Sequence, residues 1–382
     1  MTAIAPEKQA HALERALELA EGGRGNASPN PMVGAVLVDA GGQVVGEGFH
    51  ARVGGLHAER AAIEDARSRG VDTSGCTLFV TLEPCAATGR QPPCTEAILE
   101  AGIGRVVYAD EDPSEEANGA GPQRLQSAGV EVDTASEEFR QSARELNQAF
   151  RKRVRSGLPY VTYKAAMTLD GRTAAPGGDS RWISGMESRD QVHSLRAGCD
   201  AIAVGIGTVL ADDPLLTARP SNPSLLPEDP PLRVVFDSQG RLPLDSALVE
   251  SIDDAPVAVV VGPAAPSERR SALAEAGVRV FGTDASEPAE SAIQGMRALA
   301  GEADVQDLLC EGGATLAGAL FDAELVDRML LFLAPKVLGS ADAKPLVAGS
   351  GASRVAEARR ALRVSHAQVG EDLLVDATFA EW

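Results

Sequence analysis

The sequence predicts an α/β protein made of two domains in succession, and three observations predict it. Short apolar runs rich in Val, Ile and Ala alternate with segments whose apolar residues recur at helical spacing. That alternation pauses once near the middle of the chain, at Gly157-Leu158-Pro159. The 382 residues also exceed the roughly 100–200 of an ordinary single domain. With 44% apolar and 24% charged residues, each half can bury a core, and global disorder is excluded.

Taken in order, the first half opens on an amphipathic helix carrying Ala12, Leu13, Ala16, Leu17 and Ala20 on one side. MVGAVLV (32–38) and QVVGEGF (43–49) read as strands joined by a Gly-Gly turn. HAERAAIEDARS reads as a helix, TLFVTL (77–82) as a buried strand, CTEAILEAGI as a helix and RVVYA as a strand. One long helical pattern covers 136–156. It ends in Arg151, Lys152, Arg153 and Arg155, read as cations that offset the negative end of the helix dipole.

From Pro159 a second set of strands begins: YVTYKAAMTL, CDAIAVGIG, LRVVFD, APVAVVVG, GVRVFG, VQDLLCEGG and RMLLFLAPKVL. SRDQVHSLRAG and SERRSALAEAG supply helices between them, and the Pro-rich piece at 220–231 reads as a surface loop. The expected domains are residues 1–152 and 158–382.

Charge narrows the function classes. Thirty-five Lys and Arg stand against 55 Asp and Glu, a formal charge of −20, and such a surface repels phosphate backbones, so no nucleic-acid partner is expected. Among the cations Lys is scarce. Adaptation to a salty cytoplasm and high-GC coding both explain that bias. No apolar stretch approaches the roughly 20 residues that span a bilayer, and the first residues lack the pattern of a signal peptide. A cytoplasmic protein with no membrane partner is therefore expected. Five cysteines, Cys76, Cys85, Cys94, Cys199 and Cys310, suit buried thiols and metal ligands before disulfides.

The sharpest local signal is His57-Ala58-Glu59 followed by Pro84-Cys85 and by Cys94. An imidazole and two thiolates suit Zn²⁺ with one position left for water, and zinc makes such a water nucleophilic near neutral pH. Glu59, two residues after His57 at the start of a helix, can face the same cavity without ligating the metal and carry protons. Cys94 opens a predicted helix after Pro92-Pro93, where the dipole favours thiolate. The order His-x-Glu, then Pro-Cys, is that of nucleobase deaminases, but AATGRQPP separates the two cysteines instead of two residues.

That long gap carries a resemblance. TLEPCAATGRQPPCTEAILEAGI, with SPNPMVGAVLV and GLHAE, resembles the N-terminal deaminase domain of the bifunctional riboflavin-biosynthesis deaminase/reductases. The resemblance implies a cytidine-deaminase-like α/β/α domain with one Zn²⁺ on His57, Cys85 and Cys94 and with Glu59 as proton shuttle. It places Asn30, His50 and Arg90 around a pyrimidine and its ribosyl phosphate; the plain alternative for His50 is a histidine on a surface turn. A guanidinium is a good bidentate partner for phosphate. One departure stands out: the family usually carries His two residues after the first cysteine, and this chain has Ala87.

In the second half, AIAVGIGTVLADDPLLTAR (201–219) and LLCEGGATLAGAL (308–320) are Gly-bearing segments that follow predicted strands. Neither has the spacing of the dinucleotide fingerprint, so periodicity leaves the ligand open. These segments, with YKAAMTLDGRTA and GGDSRWISG, resemble the reductase domain of the same family, densely to residue 219 and more patchily beyond. The resemblance implies a dihydrofolate-reductase-like α/β fold that uses NADPH. Cofactor contacts would fall on Ala166, Trp182, Thr208, Asp212, Ser238 and the run Gly313, Ala314, Thr315, Leu316, Ala317, Gly318 and Ala319. Substrate contacts would fall on Lys164, Asp170, Ser180, Arg196, Leu216, Arg219 and Glu311, with Asp212 assisting proton movement. For Arg196 and Arg219 the plain alternative is a surface arginine; for Trp182, core and rim both fit. His193 and His366 read as surface residues without a role.

Together these imply two consecutive steps on a small-molecule pyrimidine ribosyl phosphate: a zinc-dependent deamination, then an NADPH reduction of the ribosyl chain. The alternative motivated by Ala87 keeps the reductase and makes the first domain a zinc-binding module without deaminase activity. A deaminase of nucleosides or tRNA is a third reading, against which the acidity and the second domain speak. Monomer and homo-oligomer both remain open.

Overall fold

The computed structural model describes residues 4–88, 91–115, 117 and 119–382. The chain divides into two compact units, residues 1–156 with Trp382 and residues 157–381.

The first unit contains helices α1 (Pro6–Ala20), α2 (Ala58–Ser68), α3 (Cys94–Glu100), α4 (Ala120–Ser127), α5 (Glu137–Leu146) and α6 (Gln148–Ser156). Its strands are β1 (Gly34–Val38), β2 (Val44–Phe49), β3 (Thr77–Leu82), β4 (Arg105–Asp110) and β5 (Glu131–Thr134), ordered β2-β1-β3-β4-β5. The β1–β2 and β1–β3 pairs are antiparallel; β3–β4 and β4–β5 are parallel. Both faces are covered, and the period of two decides which residue serves which face. In β1, Ala35 and Leu37 pack with Ala62, Ile63, Ile98 and Leu125. Val36 and Val38 pack on the other side with Ala12, Leu13, Ala16 and Ala143. Two helical layers over one sheet give the α/β/α order.

The single long helix expected over 136–156 is two helices. Asn147 stands between α5 and α6 and is buried, and its amide pairs with a peptide group elsewhere. Met32 N–H donates to Asn147 Oδ1 at 2.8 Å, and Asn147 Nδ2 donates to Met32 O at 2.9 Å. A side chain that copies a peptide bond in this way competes with the helical ladder. The cations beyond it are not all solvated either. Arg151 and Lys152 are buried, and Arg151 pairs with Asp110 at the end of β4. Arg151 therefore holds a sheet end, which the dipole reading did not provide.

The second unit adds α7 (Met186–Ala197), α8 (Ile206–Asp212), α9 (Ala247–Glu250), α10 (Ser267–Glu275), α11 (Pro288–Glu302) and α12 (Ala314–Asp322). Its strands are β6 (Tyr160–Thr168), β7 (Arg172–Ala174), β8 (Ala201–Gly205), β9 (Leu232–Phe236), β10 (Val257–Val261), β11 (Arg279–Gly282), β12 (Asp307–Cys310), β13 (Val326–Ala334), β14 (Lys344–Pro345), β15 (Arg363–Val369) and β16 (Asp372–Thr378). Nine of them form one sheet, ordered β11-β10-β9-β8-β12-β6-β13-β16-β15; β7 and β14 form a small ribbon. The run from β11 to β13 is parallel, and β16 and β15 close it antiparallel. The β15–β16 hairpin was not expected from sequence: β15 is exposed along most of its length and lacks an apolar alternation.

Buried faces again alternate. Ala201 and Ala203 of β8 join Met296, Leu299, Ala317 and Leu320. Ile202 and Val204 join Val257, Val259, Leu248 and Leu273. The chain reaches β12 last among β8 to β12 and inserts it between β8 and β6. In open parallel sheets such a reversal leaves a crevice beyond the carboxyl ends of the strands, where ligands bind.

Candidate active sites

In the first unit, three segments bring side chains to one point. His57 is the residue before α2, Cys94 is the first residue of α3, and Cys85 follows β3 by three residues. His57 Nδ1 lies 3.3 Å from Cys94 Sγ and 3.7 Å from Cys85 Sγ, and the three donor atoms all fall within 4.8 Å of one another. The start of α3 is tied to Cys85: Cys94 N–H donates to Cys85 Sγ at 3.3 Å, and Thr95 N–H donates to Cys85 O at 3.2 Å.

The two sulfurs cannot share the anionic state on their own. A hydrogen bond from Cys94, against burial, and the His57 ring bring Cys85 down to about 4. The same bond, with burial and the Glu59 carboxylate, drives Cys94 up. A divalent cation between them stabilises both thiolates at once. One imidazole and two sulfurs within 4.8 Å form a donor set that fits Zn²⁺. Glu59, in the first turn of α2, is 4% exposed. Burial, and then the Cys85 sulfur, push its carboxyl up to about 7.

His50 adjoins this cluster and is buried, so the surface-turn alternative fails. Its ring meets the His57 ring edge-on at 5.3 Å. His50 Nδ1 lies 2.9 Å from Leu56 O, and Nε2 lies 3.0 Å from Asn30 Nδ2. A carbonyl can only accept, so Nδ1 carries the proton and Nε2 accepts from Asn30. Burial holds the ring below the ordinary histidine range, in keeping with that neutral form. Asn30 and His50 thus stand with the metal-binding side chains; Arg90 lies outside the described residues. Ala87 is exposed, two residues past Cys85.

Sequence reasoning missed Arg60, whose Nη2 donates to Pro92 O at 3.3 Å and Pro93 O at 3.1 Å. It ties α2 to the residues that lead into Cys94. No spacing rule marks an arginine that works through carbonyls 32 and 33 residues away.

In the second unit, Thr208, Ser238, Glu311 and Gly313 follow the carboxyl ends of β8, β9 and β12, and Ala166 lies near that of β6. Thr208 is in α8, directly after β8, and Gly313 is the residue before α12, which follows β12. A Cβ built on Gly313 would lie 3.7 Å from Thr208 Oγ1, an ordinary contact, so the two helix starts stand close to each other. Bare amides at the start of α12 suit a cofactor phosphate. Ser238 is exposed in the turn after β9, and Ala166 is half-buried near the end of β6. Trp182 is 65% exposed under the Arg189 guanidinium at 4.6 Å, which answers for the rim. Asp212 ends α8, and its backbone carbonyl accepts from Arg181 at 2.7 Å.

Lys164, Arg196 and Glu311 form one charged cluster. Arg196 Nε and Nη2 grip Glu311 at 2.5 and 3.1 Å, and Lys164 Nζ stands 3.8 Å from the same carboxylate. Burial alone would raise Glu311, but Arg196 and then Lys164 hold it below the usual carboxylate range. Arg196 is therefore no surface arginine, whereas Arg219 is exposed. Leu216 is buried and takes φ 52°, a left-handed turn that leads into Arg219. Ser180 is half-buried, and its carbonyl accepts from Ile183 N–H. The Asp170 carboxylate accepts from Thr168 Oγ1 at 2.6 Å and from the Leu338 and Gly339 amides. These bonds tie Asp170 to the chain's own loop. His193 is half-buried, and His366 is exposed on β15.

Comparisons with known proteins bear on both units. Residues 6–110 match the cytidine and deoxycytidylate deaminase zinc-binding region, and residues 159–375 match the RibD C-terminal domain. The riboflavin biosynthesis protein RibD of Escherichia coli is 39% identical over 354 residues, 91% of this chain and 92% of its own. That of Mycobacterium tuberculosis H37Rv is 40% identical over 92% of each. Among solved structures, Acinetobacter baumannii RibD superposes with a TM-score of 0.85 at 34% identity, covering 98% of this chain and 99% of that one. A deaminase/reductase from Thermotoga maritima gives 0.83 at 33% identity over the same shares. Among the described residues, no helix is long and apolar enough to cross a membrane.

Proposed function

The chain belongs to the RibD family of bifunctional riboflavin-biosynthesis enzymes, and from that membership we propose how its own residues divide the two reactions. It couples a cytidine-deaminase-like domain to a dihydrofolate-reductase-like domain and catalyses two consecutive steps. The first deaminates 2,5-diamino-6-(5-phosphoribosylamino)pyrimidin-4-one. The second reduces 5-amino-6-(5-phosphoribosylamino)uracil to the ribityl product with NADPH. Residues 1–152 serve the first reaction and residues 158–382 the second.

His57 Nδ1, Cys85 Sγ and Cys94 Sγ would hold the zinc ion, which when bound would supply a water made nucleophilic near neutral pH. The buried Glu59 carboxylate would take up a proton as the water attacks and return it to the departing amine. A carboxyl lifted from its ordinary value by burial works in both directions near neutral pH. Asn30, fixed by His50 Nε2, presents an amide donor and acceptor to the polar edge of the pyrimidine. Arg90 takes the phosphate.

In the second reaction NADPH, when bound, would supply a hydride to C1′ of the ribosyl group, while the C1′–O4′ ring bond opens and O4′ takes a proton. The segment from Gly313 to Ala319 receives the cofactor at the start of α12, with Thr208 opposite and Ala166, Trp182, Asp212 and Ser238 around it. Glu311 and Lys164 provide a half-buried carboxylate and ammonium at 3.8 Å for the sugar hydroxyls. Arg196 keeps Glu311 ionised, and Arg219 meets the phosphate with Ser180 and Leu216 beside it. Asp212 assists proton movement.

The observation that supports this reading best is the convergence of His57, Cys85 and Cys94 beside a buried Glu59. Metal analysis with product analysis by mass spectrometry tests it. One zinc per chain, ammonia release from the diaminopyrimidinone and NADPH-dependent gain of two hydrogens are expected. Zinc-loaded, folded protein that releases no ammonia would overturn the deaminase assignment.

A further inference from the structure

One face of α7 carries two residues, Asp190 and His193, that neither reaction has used. Asp190, His193 and Arg196 are spaced by three and share that face. Each bonds a residue of the extended segment Thr217–Ser221, in reverse order. Arg196 Nη1 donates to Thr217 O at 3.1 Å, and Arg219 N–H donates to His193 Nδ1 at 3.2 Å. Ser221 donates twice to Asp190, from N at 2.8 Å and from Oγ at 2.7 Å. Alternate residues of the strap thus face successive turns of the helix, an antiparallel clasp of three points. Its inner end is anchored separately: Arg233, fully buried in β9, donates to Leu215 O at 3.0 Å.

We propose that His193 is a positioning residue of the reductase: with Asp190 it holds the Thr217–Ser221 strap so that Arg219 reaches the substrate phosphate. The proposal rests on the assignment of Arg219 to that phosphate. Arg196 joins the clasp to Glu311, so the strap and the Lys164–Glu311–Arg196 cluster form one network. The Arg219 main chain is fixed at its own amide, and the exposed guanidinium then searches fewer directions. That saves ordering entropy when substrate binds.

His193 can accept from Arg219 only while Nδ1 is unprotonated. Burial lowers its pKa, as do the Arg196 and Arg219 guanidiniums, while Glu311 and the Thr217 carbonyl act the other way. Asp190, on the same helix, faces it as well. The clasp is therefore closed at neutral pH. It opens as pH falls through a value below the ordinary histidine range.

The test uses the full-length enzyme loaded with zinc, assayed for reductase on the deaminated substrate. His193→Leu removes the acceptor and His193→Asn restores one at the place of Nδ1. His193→Leu is expected to raise KM for the substrate about three- to tenfold, the worth of one hydrogen bond, with kcat and KM for NADPH within about twofold. His193→Asn is expected to recover most of that loss. Substrate phosphate titrates in the same acid range, so the wild-type rise in KM toward acid pH is read against His193→Asn, which should keep only the phosphate part. Superposed pH profiles, a normal KM in His193→Leu, or equal damage in both variants would overturn the proposal. If His193→Leu fails to fold, the His193→Asn profile still decides. Arg219→Ala separates the two ideas: an unchanged substrate KM there refutes the phosphate assignment, whereas a raised one leaves any failure with His193 alone.

Discussion

In residues 1–156 the proposed reaction centre is gathered from positions 57, 59, 85 and 94, and its three donor atoms occupy a space under 4.8 Å. In residues 157–381 the proposed positions run from 164 to 319, across β6, α7 and the loops and helices that follow β8, β9 and β12. The first centre is built by side chains of like purpose that converge on an ion. The second is built by helix starts, glycines and a few charged side chains laid out for an extended ligand. A point ligand demands particular residue types at short spacing. An elongated cofactor is met by backbone amides that many sequences can supply.

The largest expected effect separates the two regions outright. Glu59→Gln keeps the shape of the side chain and removes its capacity to carry a proton. Deamination should fall on the order of 10²–10⁴-fold, the usual share of a positioned acid–base group. Zinc content and NADPH oxidation on the deaminated substrate should stay at wild-type levels. Ammonia release, metal analysis and the absorbance of NADPH give the three readings. Joint loss of both activities in a folded variant would break the comparison, because it would show that the centres are not independent.

A second variant asks whether the other centre depends on charge pairing where the first depends on the ion. Arg196→Met removes both bonds to Glu311 and leaves that half-buried carboxylate with Lys164 at 3.8 Å. Breaking a fully buried pair from one side costs about 3–5 kcal/mol, so a smaller loss is expected here in the thermal transition of residues 157–381. The sign of its pH dependence follows from Glu311. Its folded pKa lies below the unfolded value, so the pairing stabilises above the unfolded carboxylate range and is lost as pH falls through the folded value. The gap between wild type and Arg196→Met should therefore be widest near neutral pH and narrow in acid. A gap that ignores pH, measured by calorimetry, would mean that Arg196 acts through packing.

The same contrast explains what the sequence made legible. Strands such as TLFVTL and the helix from His57 were readable because a buried sheet and an amphipathic helix impose periods on apolar residues. The His57, Cys85 and Cys94 set was readable because thiolates and imidazole near a Pro turn have few other purposes. Residues that act at long range left no such mark. Asn147 breaks a helix to pair with Met32, 115 positions away, and nothing local distinguishes it from a solvated helix residue. Arg151 reads as a dipole cation until Asp110 is folded against it. Exposed β15 is a strand by virtue of its partner β16, and its own side chains carry no alternation. In the second unit Thr208 and Gly313 came from family resemblance, since their nearness is a product of inserting β12 beside β8.

The smallest expected effect probes position 87, the departure from the family resemblance noted in the sequence. Ala87 is exposed two residues after Cys85, and its methyl group can donate no hydrogen bond, unlike the imidazole that the family resemblance leads one to expect there. The donor set for zinc is complete without position 87, and Glu59 is buried on a different segment. Ala87→His should therefore leave zinc content and kcat for deamination within about twofold. One regained hydrogen bond to substrate is worth about 0.5–1.5 kcal/mol, so KM should fall roughly three- to tenfold. The reductase, whose contacts lie in the other unit, should not respond. A fall in KM without a rise in kcat means that the departure weakened the grip on substrate and spared the chemistry. A rise in kcat instead would place the missing imidazole in the proton path, and Glu59 would then no longer account for it alone.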